Sequence, residues 1–139
     1  MNTTLQDYER FIFTLPERFT SIRYSTLVFQ RLEPFTAIVR GEIFFEQGLR
    51  LRVLEVLDFD EAINFIQRYS YEAYREDEKL YWYDPFPHPH IPELAETEPH
   101  HKHLPPDIKH HRVPAHHLSF AQPNLPFLIQ EIEALFVND

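Results

Sequence analysis

Residues 37–59 read AIVRGEIFFEQGLRLRVLEVLDF, and the alternation in this stretch decides the fold. Ala37, Val39, Gly41, Ile43 and Phe45 share one face of an extended chain, with Ile38, Arg40, Glu42, Phe44 and Glu46 on the other, because successive strand side chains point to opposite sides. Gln47-Gly48 has the chemistry of a tight turn. Beyond it Leu49, Leu51, Val53, Leu57 and Phe59 alternate with Arg50 and Arg52. The pattern is that of an antiparallel hairpin with one buried and one polar face. One residue breaks it. Glu55 sits on the apolar face, where a carboxylate is costly unless it is paired. It fits a buried catalytic carboxylate, an ion-pair partner of Arg23 or Arg40, or a β-bulge that turns it to solvent, and the bulge is the expectation.

Working outward, Ile22–Glu33 reads as one strand closed by Pro34. Tyr69–Arg75 and Lys79–Tyr83 read as a second hairpin with Asp77-Glu78 at its tip, and Asp58–Gln67 as a short helix or an irregular connection. Near the N-terminus, Thr4-Leu5-Gln6-Asp7 offers a helix cap, and Leu5, Tyr8, Phe11, Ile12 and Leu15 recur at helical spacing until Pro16. Leu125, Leu128, Ile129, Ile132, Leu135 and Phe136 give a last amphipathic helix, with Pro126 tolerated in its first turn. The expected class is α+β: a five-stranded antiparallel meander sheet with an N-terminal and a C-terminal helix and a long, ordered Pro/His-rich strap. A single domain is expected over residues 1–139, with helix and sheet in 1–84, the strap in 85–123 and the last helix in 124–139.

Composition narrows the function. There is no cysteine, which removes disulfides, iron–sulfur clusters and thiolate zinc sites. The first 15 residues have no signal-peptide pattern, and no stretch approaches the ~20 apolar residues of a membrane span, so a soluble cytoplasmic protein is expected. The net charge of −9 argues against sequence-blind nucleic-acid binding. The charge is uneven, however. Residues 100–117 carry Lys102, Lys109 and Arg112 against Asp107 alone, so the one locally basic patch would steer an anion such as phosphate.

That patch coincides with the histidines. All nine lie between His88 and His117, and the wider segment 85–123 holds nine of the twelve prolines and no glycine. Prolines stiffen a chain, so the strap is expected to be ordered. His88-x-His90 and His101-x-His103 each put two imidazoles on one side of an extended chain, a spacing that suits a divalent metal, with Asp84, Glu93 or Asp107 to complete the shell. Metal-free acid–base chemistry on RNA is the competing reading: His101 and His103 would move protons while Lys102 holds the phosphate. His88, His90, His100, Lys109, Arg112 and Tyr83 would then bind substrate, with Tyr81, Trp82 or Phe86 available to stack bases. The tyrosines also suit plain cross-strand packing, and the imidazoles could serve only as packing and turn residues. Stiff prolines at positions 87, 89 and 99 and the charge of Lys102 disfavour a metal, so no cofactor is expected and any RNA cleavage should survive EDTA. His88 and His90 are expected beside the 99–103 run, at one site.

The order of these features carries a resemblance. Tyr81, Tyr83, Asp84, His88 and His90, followed by Pro99-His100-His101-Lys102-His103 and a terminal amphipathic helix, resemble the TumE-type toxins of prokaryotic toxin–antitoxin modules. The resemblance implies a toxin component with a cognate antitoxin protein as partner. It brings no mechanism, so the ribonuclease reading, with RNA as a further partner, rests on the residues. The alternative is a non-enzymatic protein- or metal-binding domain with a His-rich strap. A homodimer is left open.

Overall fold

A computed structural model describes residues 3–60, 64–85, 100–105, 112–115 and 117–137. Helix α1 (Leu5–Phe13) starts where Thr4 accepts a hydrogen bond from the Asp7 amide at 3.1 Å, satisfying one of the free donors of the first turn. It is followed by the single turn α2 (Leu15–Arg18), with Pro16 at its start. Eight strands come next: β1 (Ile22–Ser25), β2 (Val28–Glu33), β3 (Thr36–Phe45), β4 (Leu49–Asp58), β5 (Ile66–Arg75), β6 (Glu78–Asp84), β7 (His101–His103) and β8 (Arg112–Pro114). Helix α3 (Leu125–Glu133) ends the described elements. No described helix is long and apolar enough to cross a membrane.

The α+β class stands, with a larger sheet than the five strands expected. Seven strands run in the order β1-β3-β4-β5-β6-β7-β8, all pairs antiparallel, and β2 also pairs with β3. One extra strand arises because Ile22–Glu33 is two strands. β1 lies against Ile43–Phe45 and β2 against Thr36–Arg40, so both occupy the same edge of β3. Between them Thr26 and Leu27 press against Gly41, and the Thr26 amide donates to the Glu42 carbonyl at 2.8 Å. The other extra strands, β7 and β8, come from the expected strap. Most of that segment, and residues 61–63 of the Asp58–Gln67 connection, lie outside the described residues. β4 runs to Asp58 and β5 begins at Ile66, which leaves no helix reaching Gln67.

The β3–β4 hairpin follows the alternation of its sequence. Ala37, Val39 and Ile43 oppose Leu57, Glu55 and Leu51 on a buried face that Phe45 and Leu49 extend, and Gln47 and Gly48 turn the chain with φ of 61° and 72°. Helices α1 and α3 cover this face: Leu5, Tyr8 and Ile12 from one and Leu125, Leu128, Ile129 and Ile132 from the other join a single core. Burying each such side chain contributes about 1.5–3 kcal/mol. Among the described residues no helix lies over the opposite face.

Glu55 is fully buried, so the expected bulge is corrected. Its register is regular, against Val39 on one side and Tyr69 on the other. Tyr8 of α1 donates to Oε1 at 2.5 Å and Tyr71 of β5 donates to Oε2. Tyr71 Oη in turn accepts from Asn124 Nδ2 at 3.1 Å, just before α3. One carboxylate thus joins both helical layers to the sheet. The tyrosines solve the problem posed by a buried acid without any arginine.

Candidate functional site

Strands β6 and β7 carry the chemistry. Their register sets Asp84 opposite His101, Tyr83 opposite Lys102 and Trp82 opposite His103. Because strand side chains alternate, Asp84, Trp82, His101 and His103 share the helix-free face, while Tyr81, Tyr83 and Lys102 face the helices. β8 pairs with the outer side of β7, opposing His101 to Pro114 and His103 to Arg112, so β7 is held on both sides.

The result is a compact cluster. His101 Nε2 lies 2.5 Å from Asp84 Oδ1, and His103 Nε2 lies 3.3 Å from Asp84 Oδ2. The two imidazoles meet edge to face at 4.9 Å, and His103 also stacks on Trp82 at 4.6 Å. All three residues are buried, with relative exposures of 3% for Asp84, 0% for His101 and 3% for His103. Chemically, two imidazoles bracketing one carboxylate can pass protons, or can offer three ligand atoms to a cation.

The histidines and lysine expected to act together are separated. Lys102 reaches across to Glu131 of α3, 3.0 Å from Oε2, and its ammonium lies 4.3 Å from the centre of the Tyr81 ring. Tyr83 donates to the same carboxylate at 2.8 Å. It is 3% exposed, on the helix-covered face and away from His101 and His103, and Tyr81 is buried beside it. Burial first, then the Glu131 charge, pushes the Tyr83 hydroxyl far above the ordinary tyrosine range. His100 faces the helix side as well: its Nδ1 lies 2.5 Å from the Tyr69 hydroxyl and its ring packs on Phe120 at 4.6 Å. Burial, and then the neighbouring His101, lower its pKa from the ordinary histidine value. Arg112 belongs to β8. His88, His90 and Lys109, and with them the expectation that the two histidine groups meet at one site, lie outside the described residues, as does Phe86.

Asp84 was legible only as one of several acids that could complete a metal shell, yet it is the hub. Its signal was the phase of the strand: in Tyr81-Trp82-Tyr83-Asp84 the acid falls out of step with the buried tyrosines. Glu131 carried no comparable signal, since it sits off the apolar stripe of its helix.

The helix-free face beside the cluster is rich in cations. Arg40, Arg52 and Arg68 are exposed there, and Arg50 pairs with Glu42. A depression of about 390 Å³ is lined by Arg40, Glu42, Arg52, Leu54, Ser70 and Glu72.

The class of protein is given by the comparison with protein families, which places the chain among the toxins of toxin–antitoxin modules. The family described as Toxin TumE matches residues 11–136. The chain belongs to that family, and is thereby the toxin component of such a module, with a cognate antitoxin as its partner. No curated protein and no solved structure matches it.

The position of Lys102 has a direct consequence. Lys102→Met is expected to cost about 1 kcal/mol of stability, from a partly buried ion pair and a cation–π contact, and to leave growth arrest intact. Urea titration and expression in cells lacking the antitoxin measure both. Loss of arrest by a folded Lys102→Met protein would return this residue to the reacting centre.

Proposed function

We propose that this toxin acts by cutting RNA at Asp84, His101 and His103. The observation that carries the reading is the convergence of two imidazole Nε2 atoms on one buried carboxylate. RNA supplies its own nucleophile. A base takes the proton of the 2′-hydroxyl, the 2′-oxygen bonds to phosphorus, the bond to the 5′-oxygen breaks, and an acid returns a proton to that oxygen. Two imidazoles in opposite protonation states suffice for both transfers, and Asp84 fixes their orientation and stabilises whichever one is charged. Arg40, Arg52 and Arg68 on the same face give a polyanion somewhere to lie.

The rival is a toxin that arrests growth by binding alone. The burial of His101 and His103 favours it, because a substrate can reach them only if what covers them moves aside. The test is expression without the antitoxin, followed by incubation of the purified protein with a defined single-stranded RNA. The wild type is expected to arrest growth and break the RNA. His101→Ala should reduce both by about 10²–10⁴-fold, the range for losing a general acid or base. Arrest with intact RNA, or arrest indifferent to His101→Ala, would establish the rival.

A further inference from the structure

The geometry points to a divalent first-row transition-metal site, of the zinc class, formed by Asp84, His101 and His103. The ligand atoms of the three side chains all lie within 4.8 Å of one another. With metal–ligand bonds of about 2.0–2.2 Å, neighbouring donors of a tetrahedral site stand roughly 3.4 Å apart. Both separations to Asp84, 2.5 and 3.3 Å, are shorter than that spacing, the second only slightly and the first by nearly an ångström, so the cluster holds an ion once the His101 and Asp84 side chains move apart.

A second observation comes from His103. Its Nε2 is buried and aimed at Asp84 Oδ2 from 3.3 Å, but without the alignment of a hydrogen bond. A buried nitrogen in that condition costs about 1–3 kcal/mol. A metal ion on its lone pair removes the cost. The backbone favours the same outcome, since β7 is clamped between β6 and β8 and its two imidazoles are held in place against Asp84.

Donor chemistry selects the ion. Two imidazoles with one carboxylate suit zinc and its neighbours, whereas magnesium and calcium prefer all-oxygen shells. The sequence argued against a dication because Lys102 stood between the two histidines. The structure turns that ammonium to the other face and neutralises it on Glu131. Three protein ligands leave a position open for water or a phosphate oxygen, as in catalytic zinc sites. Cleavage of a phosphodiester needs positive charge where the phosphate oxygens gain negative charge, and with Lys102 withdrawn a dication would supply it. That use rests on the reading that this toxin cuts RNA, and there it replaces the imidazole proton transfers, because an imidazole bound to a metal stays neutral; the binding does not depend on that reading.

The experiment takes the full chain, strips it with a chelator and titrates it with zinc chloride under calorimetry, with cobalt(II) absorption as a probe of the ligand set. One tight equivalent is expected, with the visible bands of a nitrogen- and oxygen-ligated cobalt(II) site. Asp84→Asn and His101→Ala should each weaken that equivalent at least about 100-fold, while Lys102→Met should retain it. If a site variant fails to fold, the cobalt(II) spectrum of the unaltered chain decides. Absence of a stoichiometric equivalent, or an equivalent that survives Asp84→Asn, overturns the site. RNA cut at full rate by the stripped protein in EDTA overturns the metal's part in cleavage while sparing the RNA reading. Metal bound with RNA left intact supports the site and removes that reading instead.

Discussion

Gly41→Val is expected to lower stability by about 3 kcal/mol or more and the unfolding midpoint by on the order of 10 °C. Gly41 has φ of +140°, a conformation that L side chains rarely adopt. Space is the larger obstacle. A Cβ there would stand 2.6 Å from the Thr26 carbonyl oxygen and 2.9 Å from the Leu27 Cα. Both are backbone atoms, so no side chain can rotate away. The passage from β1 to β2 would have to leave the edge of β3, taking with it the bond from the Thr26 amide to the Glu42 carbonyl. Gly41→Ala should show a smaller loss of the same sign. Urea and thermal unfolding measure both variants, and a Gly41→Val protein within about 0.5 kcal/mol of the parent would mean that the junction is not tightly held.

Glu55→Ala is expected to be as damaging, by about 3–4 kcal/mol, because it leaves the hydroxyls of Tyr8 and Tyr71 buried without their acceptor and opens a cavity. Replacing Glu55 and both tyrosines together, Glu55→Leu with Tyr8→Phe and Tyr71→Phe, should recover most of the loss, since neither hydroxyl is left without its acceptor and Asn124 Nδ2, which loses Tyr71, keeps its bond to the Ser119 carbonyl. A triple variant no better than Glu55→Ala would show that packing dominates here. The same group has a pH signature. Burial raises its pKa above the ordinary 4.5, with the hydrogen bonds from Tyr71 and Tyr8 pulling the other way. The folded chain therefore holds this proton to higher pH than the unfolded chain does. Its contribution to stability is fully present below 4.5 and is lost as pH rises through the raised value. Glu55→Gln should flatten that part of the urea midpoint–pH curve.

These two residues also mark what a sequence can and cannot reveal. The β3–β4 hairpin was legible because twenty-odd residues repeat one two-residue period, and the flanking helices because Leu5 to Leu15 and Leu125 to Phe136 repeat another. The break between β1 and β2 was not legible. It depends on Gly41, far along the chain, and Ile22–Glu33 taken alone has the pattern of one strand. Glu55 misled for the same reason: its partners stand 47 residues before it and 16 after it, and tyrosine in an apolar run reads as packing. The site was half legible. The two-residue spacing of His101 and His103 indicated a shared face, and it equally implied that Lys102 points away. That implication was outweighed by the attraction of a lysine between histidines. β7 itself has only three residues, too few for any period to announce it.

The chain order of the cluster also says when it can exist. Asp84 ends β6, its two histidines come 17 and 19 residues later, and Glu131, which holds Lys102 and Tyr83, is later still. A polypeptide emerges from the ribosome N-terminus first, at about 5–20 residues per second. The hairpins through β6 can therefore form while the cluster has no strand to complete it, and its anchor in α3 follows seconds after Asp84 is made. On the RNA-cutting reading, a nascent toxin of this design lacks its proton-transferring groups for that interval, and its activity begins only once the C-terminal third of the chain has been made.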